Sequence, residues 1–544
     1  MKALTYIGLA IFLMGLTLFS GSIFLGSFEL KQSDLTTFLE SKGIKNELLE
    51  KELQDAVITG EQMDIFTFSS KVRGALEKNN AHYDALIAKY DAEKDWTKKG
   101  EQYQYRINEK DFRAMSFSLA KKSGKGFIVE NRGLMWFLTF GLGILGALLF
   151  ILPQLKLLGP PGIKNNGVYH NPATNRGWIA WLVLIYLVTF YILLYFMADY
   201  VVNWTFILDP ISKSLSGGEA SQWFVYGFLY CVIMVVMAVR MYIKYRHNKY
   251  QIVRTTSVLF FQIVIAFLIP EIMTSLNMPA YDFKNAFPLD YDFFFDWNLD
   301  SLINSGGVGL FILVWGIVLT VIIVPVMVYF FGKRWYCSWV CGCGGLAETL
   351  GDPYRQHSSK KMISWKLERW LIHSVLVFSL VMTLVTLYCY FTGASSFIGI
   401  PSNWIKDTYS VLIGAWFAGV IGTGFYPIFG NRVWCRFGCP LAAYLGFVQR
   451  FKSRFRITTN GGQCISCGNC STYCEMGIDV RAYAQKGENI IRSSCVGCGV
   501  CSAVCPRGVL KLENGPLDGR INPTDVLLGN DVDLMDYVNN KKIS

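Results

Sequence analysis

The sequence predicts a mainly α-helical membrane protein of about eight transmembrane helices, with an outer helical insertion and a small α+β domain at the C-terminus. Three observations carry that prediction. The 544 residues are 52% hydrophobic, 15% aromatic and only 17% charged, which is not the composition of a soluble enzyme. Eight stretches are apolar enough to cross a hydrocarbon core of about 30 Å at about 1.5 Å per residue. Eight of the 15 cysteines fall into two short runs near the C-terminus.

The predicted spans are Leu4 to Phe28, Leu134 to Leu152, Trp178 to Met197, Trp223 to Val239, Val258 to Met273, Val308 to Phe331, Trp370 to Phe391 and Tyr409 to Phe429. The net charge of +11 does not point to nucleic acid, because the basic residues lie beside the spans. The segment holding Arg240, Lys244, Arg246, Lys249 and Arg254 is strongly basic, as are Lys333 to Arg369 and Arg432 to Arg456. The positive-inside rule expects these in the cytoplasm of a bacterium, beneath its inner membrane. The segment Tyr281 to Asp300 carries five Asp against one Lys and is expected outside, as are Val201 to Ser221 and Thr392 to Thr408. Residues Glu29 to Arg132 then lie outside and the C-terminal tail inside. With a weak basic start and no small-x-small cleavage site, the first span is expected to be an anchor, not a removed signal.

The predicted domains are an anchor over 1–28, an outer helical domain over 29–132, a transmembrane domain over 133–440, a ferredoxin-like domain over 441–515 and a tail over 516–544. The outer region has helical patterning at Leu35, Phe38 and Leu39 and at Leu48, Leu49 and Leu53, with Ser33 or Asp34 as N-cap. It contains no Cys, one His (His82) and no glycine-rich phosphate loop, so partner docking is its expected role.

Thirteen cysteines fall in segments expected inside, where thiols stay reduced, so a disulfide framework is not expected. The strongest chemical signal is Cys464-x2-Cys467-x2-Cys470-x3-Cys474 together with Cys495-x2-Cys498-x2-Cys501-x3-Cys505-Pro506. In such runs three thiolates wrap one iron-sulfur cubane, and the fourth reaches the other cluster. Two 4Fe-4S clusters are therefore expected, one on Cys464, Cys467, Cys470 and Cys505, the other on Cys495, Cys498, Cys501 and Cys474. Zinc is the competing ligand for C-x2-C spacing, but eight Cys in two four-Cys runs with a closing Pro favour the clusters. Glu475 stands where a Pro often follows the fourth Cys, and is expected to affect a turn only.

A second pattern is an internal repeat. Phe331-Gly-Lys-Arg-Trp-Tyr-Cys337-x3-Cys341 and Phe429-Gly-Asn-Arg-Val-Trp-Cys435-x3-Cys439-Pro440 match at an offset of 98 residues, each after a span. Repeated units commonly pack about a pseudo-two-fold axis. Cys337, Cys341, Cys435 and Cys439 could thus supply four thiolates at the membrane surface, to an iron-sulfur cluster or a metal ion, beside Arg334 and Arg432. The alternative is that they are small buried thiols at helix ends. Cys343 has no assigned role, and Cys231 and Cys389 are expected to be core residues.

From Val308 to Leu512 these motifs resemble the NosR/NapH/CcoG type of membrane-bound polyferredoxin. The resemblance implies a protein that feeds electrons to, or helps mature, periplasmic or membrane reductases and oxidases. Two features depart from it. The first Cys-x3-Cys is followed by Gly342-Cys343 where that family has Pro, and no Ser-Gly-Ala-Thr flavin site occurs between Glu29 and Arg132, so an outer flavin is not expected.

The loop Tyr281 to Asp300 sets Phe293, Phe294, Phe295 and Trp297 beside Asp290, Asp292 and Asp296. It reads as an interface anchor, or as a docking patch for a basic cytochrome c. Glu271, after Pro270, reads as an interfacial carboxylate or a proton acceptor for a quinone. Only His373 lies within a span, with His170, His247 and His357 in loops, so haem b is not expected. The function expected overall is electron transfer between a membrane or periplasmic partner, quinol among the candidates, and inner-face clusters within a respiratory or reductase complex. An assembly factor that reduces or delivers a metal is the alternative. Expected partners are membrane lipid and a redox protein, not nucleic acid.

Overall fold

In the computed structural model the described residues are 2–515 apart from 59, 159–172, 285, 291–292, 452 and 461–462. The predicted tail 516–544, His170 and Asp292 lie outside them. The protein is mostly helical, with seven helices among the described residues long and apolar enough to cross a membrane: Lys2–Phe24, Arg132–Leu157, Trp178–Phe196, Gln222–Lys244, Lys249–Ser275, Gly307–Phe331 and Met362–Thr392. The eighth predicted span differs from expectation. A helix starts earlier, at Ser402, continues in π-helical form over Ser410–Ile421 and ends before a short turn of helix at Tyr426–Phe429. Its first turns carry Lys406 and Asp407, which dilute its apolar character. Lys406 forms an ion pair with Asp296, which compensates its burial.

The chain divides into two compact units, one formed by the described residues of Met1–Pro153 and Phe190–Leu229, the other by those of Gln154–Thr189 and Tyr230–Ser544. In the first unit the insertion is helical, with Gln32–Ser41, Glu47–Val57, Ile65–Ala92, Trp96–Tyr103 and Phe112–Ser123. Leu35, Phe38, Leu39, Leu49 and Leu53 are buried, as their spacing predicts, whereas Leu48 is half-buried. The first of these helices begins one residue before Ser33 and has no side-chain cap. Asn46 and Asp64 do cap the next two, accepting from the Leu49 and Thr67 backbone N–H groups at 3.0 and 2.8 Å. Ser27–Phe28 pairs antiparallel with Gly124–Lys125, so the chain enters and leaves the insertion at one place.

In the second unit a two-stranded antiparallel sheet, Arg456–Thr459 with Leu510–Glu513, brings together the two ends of the ferredoxin segment, with Ile457 opposite Leu512. Its apolar residues Phe455, Ile457, Met476, Ile478, Val480, Ile490, Val496 and Leu510 share one core with Val324, Val328, Tyr336 and Leu445. The ferredoxin domain is therefore fused by packing to the end of the sixth span.

The aromatic loop after the fifth span runs inward, contrary to its expected surface position. Phe293 is fully buried and Phe287 nearly so, while Trp297 stays exposed. The Trp315 indole donates to the Phe283 carbonyl at 2.8 Å, and the Tyr336 hydroxyl donates to the Lys284 carbonyl at 3.0 Å. A Cβ on Gly316 would meet the Phe293 ring at 2.6 Å, so the missing side chain is what admits the loop. Burying a phenylalanine gains about 1.5–3 kcal/mol, enough to draw the loop from the surface.

Candidate iron-sulfur centres

Each ferredoxin run folds as a loop closing on a one-turn helix, Asn469–Thr472 in the first and Val500–Ala503 in the second. The residues just before and just after the second Cys have positive φ: Ser466 (58°) and Gly468 (80°), Gly497 (65°) and Gly499 (73°). That left-handed backbone curls the loop so that its sulfurs face one side. Ser466 adopts it without being glycine, an uncommon conformation for a residue with a Cβ.

A cavity is lined by Cys464, Cys467 and Cys470 from the first run and by Cys505 from the second, with Pro506, Arg481 and Arg507 at its edge. Cys505, Cys467 and Cys464 lie within electrostatic reach of Cys470, whose thiol burial pushes up to about 12. Around Cys501 stand Cys498, Cys474 and Cys495. Backbone N–H groups point at these sulfurs, from Gly497 to Cys495, Val500 to Cys498, and Met476 and Ile478 to Cys474. Burial pushes both Cys495 and Cys498 up to about 12, so a bound iron must displace their protons. The donor sets are soft, closely spaced and supplied with N–H donors, as a cubane requires. Among the described residues no three Cys, His, Asp or Glu converge on a single-ion position. Thiolates of a cubane bind separate iron corners and need no such point.

The Cys-x3-Cys repeat persists in three dimensions. Gly332 and Gly430 both have positive φ, 64° and 94°, and end the helices Val324–Phe331 and Tyr426–Phe429. Cys341 and Cys439 each precede a helix, Gly342–Thr349 and Pro440–Phe451. The Ala442 N–H donates to Cys439 Sγ at 3.3 Å, and the Gly344 N–H makes the equivalent bond to Cys341. Cys439 lies within electrostatic reach of Cys435, Cys341 and Cys337, so the structure brings all four thiols together. Cys343 joins them through a hydrogen bond with Cys341. Cys231 and Cys389 are buried.

The segments that carry these thiols pack against the flanks of the apolar helices. Gln262 donates to the Val340 carbonyl at 2.5 Å and Tyr230 to the Gly342 carbonyl at 2.7 Å. Gln262 is about 20 Å along its helix from Lys249, and Tyr230 about as far from Lys244, at about 1.5 Å per residue. The Tyr444 hydroxyl likewise donates to the Thr320 carbonyl at 3.0 Å, near the middle of the span Gly307–Phe331. A buried carbonyl needs a donor, which Gln262 supplies to Val340 and Tyr230 to Gly342.

The two repeat arginines diverge. Arg334 stacks over the Phe331 and Phe455 rings at 5.6 and 5.2 Å, away from the thiols. Arg432 is fully buried and donates to Cys435 Sγ at 3.7 Å and to the Cys337 carbonyl at 3.3 Å. It also pairs with Glu348 at 2.5 Å and with Glu475 at 2.9 Å.

Glu475 is the residue whose role sequence reasoning missed. It is 1% exposed and is bound by Arg355 at 2.6 Å and by the Asn431 amide at 3.2 Å, besides Arg432. Despite burial, Arg355 and Arg432 hold its carboxyl down at about 2. Arg355 pairs in turn with Asp352, which also takes Arg240 and Lys244. The only sequence signal was an acid in place of Pro beside a ligand-type Cys.

A family model described as a 4Fe-4S dicluster domain matches residues 448–509. Another, described as a 4Fe-4S binding domain, matches twice, over 310–361 and 412–458, each match holding one Cys-x3-Cys repeat. The protein carries ferredoxin-type 4Fe-4S domains behind a set of membrane helices. It is 26% identical over 159 residues to the putative electron transport protein YccM of Escherichia coli K12, across 27% of this chain and 43% of that one. It is 28% identical over 156 residues to the methylamine utilization ferredoxin-type protein MauN of Methylobacillus flagellatus, across 28% of this chain and 52% of that one. The chain spans about half the length of these curated relatives. No solved structure matches it.

Proposed function

We propose that this protein carries electrons between the interior of the membrane and its cytoplasmic face through three 4Fe-4S centres. Cys464, Cys467, Cys470 and Cys505 would hold the first and Cys495, Cys498, Cys501 and Cys474 the second. Cys337, Cys341, Cys435 and Cys439 would hold the third. Clusters bound there supply one-electron transfer. The observation that carries the reading is the convergence of the four repeat thiols, tied through Arg432 and Glu475 to the segment that begins at Cys474.

The rest of the chain serves this arrangement. Gln262 and Tyr230 fix the first motif through the Val340 and Gly342 carbonyls. The basic segments beside the spans favour a cytoplasmic ferredoxin domain in a bacterial inner membrane. The inward loop leads from the opposite face to the Tyr336 hydroxyl, so a quinol or a redox protein on that side is the partner this reading expects. The resemblance to NosR/NapH/CcoG-type polyferredoxins and the names of the curated relatives agree with an electron-transport role.

The test uses the full chain, anaerobically reconstituted in vesicles enclosing ferricyanide, with dithionite outside. Ferricyanide should bleach faster than in empty vesicles, and the Cys337→Ala/Cys435→Ala variant should abolish the gain. Equal bleaching by the variant would exclude the membrane-embedded centre from the route.

A further inference from the structure

We infer that the mouth of the cavity formed by Cys464, Cys467, Cys470 and Cys505 is a docking surface for a small acidic redox protein. The inference rests on the ligand reading proposed above. Of the twelve thiols assigned to centres, Cys467 alone is exposed, while Cys337, Cys435, Cys470, Cys495 and Cys501 are buried. The second run is covered from outside its loop, with the Tyr250 hydroxyl on the Gly497 carbonyl at 2.7 Å and the Gln251 amide on the Cys498 carbonyl at 2.8 Å. A partner that approaches this domain therefore comes nearest to a centre at Cys467.

The surface around that point has the composition of a contact site. Ile465, two residues before Cys467, is 57% exposed and supplies an apolar contact. Arg481 and Arg507, both exposed, flank the cavity, and among the described residues no acidic side chain lines it. Apolar centre and cationic rim fit a partner of opposite charge, since complementary potentials steer encounter and set orientation more than they add raw affinity. A positive rim repels a basic cytochrome c, so the occupant is an acidic carrier of the flavodoxin or ferredoxin kind.

The probe is a flavodoxin, with a mitochondrial-type cytochrome c as the basic control, titrated onto the full chain in nanodiscs under anaerobic conditions. Flavodoxin should bind, with a Kd that rises at least about tenfold as salt goes from about 20 to about 300 mM. Arg481→Glu/Arg507→Glu should weaken binding about tenfold or more at low salt, and Arg481→Gln/Arg507→Gln by an intermediate factor. Electron paramagnetic resonance of the dithionite-reduced variants should keep the wild-type cluster signals. Binding indifferent to salt and to both variants, or preferential binding of the cytochrome, would overturn the inference. A wild-type chain lacking cluster signals would overturn the ligand reading itself, and this inference with it.

Discussion

Arg432 joins two thiol sites, its guanidinium standing 3.7 Å from Cys435 Sγ and 2.9 Å from the Glu475 carboxylate, whose chain neighbour is Cys474. Both side chains are fully buried, so each charge is offset only by the other and by Glu348, Arg355 and the groups around them. Removing one partner from such a network leaves the rest uncompensated, at a cost of about 3–5 kcal/mol. Glu475→Ala should lower the unfolding midpoint accordingly and shift the potential of the Cys474 centre upward, as a nearby negative charge is lost. A thermal scan and a redox titration followed by electron paramagnetic resonance check both. An unchanged midpoint would make the network incidental.

Gln262 gives a second prediction. Its amide holds the Val340 carbonyl, and it is 2% exposed. Gln262→Leu keeps the volume and strands that carbonyl, at a cost of about 1–3 kcal/mol. Iron retention at the Cys-x3-Cys site should fall before that of the ferredoxin clusters, measured as metal content after graded exposure to a chelator.

What the sequence made legible and what it hid follow from how local each feature is. The ferredoxin runs could be read because their ligands lie two or three residues apart, and the 98-residue repeat because its halves share spacing. The Tyr409 to Phe429 span was misplaced because hydropathy discounts Lys406, whose ion pair with Asp296 lies 110 residues away. The packing of the first repeat motif against the spans depends on Gln262 and Tyr230 reaching carbonyls 78 and 112 residues off, which no local pattern reports. Glu475 was read as a turn residue for the same reason, since its partner Arg355 is 120 residues away.

The crossing of the fourth ligand yields a third prediction. Cys474 shares its surroundings with Cys495 and Cys501, and Cys505 with Cys470. Cys474→Ala should remove the signal of the Cys495, Cys498 and Cys501 centre and spare that of Cys464, Cys467 and Cys470. Loss of the latter alone would reverse the assignment.

His357 supplies a pH dependence. Burial, with Arg176 and Lys360 nearby, lowers its pKa from 6.5 to about 4. The fold thus favours the neutral ring, and its stability is full above about 6.5 and declines as pH falls from there toward 4. His357→Asn should lose stability less steeply than wild type over that window, by chemical denaturation at several pH values. Parallel curves would remove His357 from the account.

The most direct test of the central claim is iron and labile-sulfide counting on the anaerobically purified chain beside its Cys337→Ala/Cys435→Ala variant. Three four-iron clusters predict about twelve irons and about twelve sulfides per wild-type chain, falling to about eight of each in the variant. A wild-type count already at about eight, unchanged by the two substitutions, would contradict a centre held by the repeat thiols.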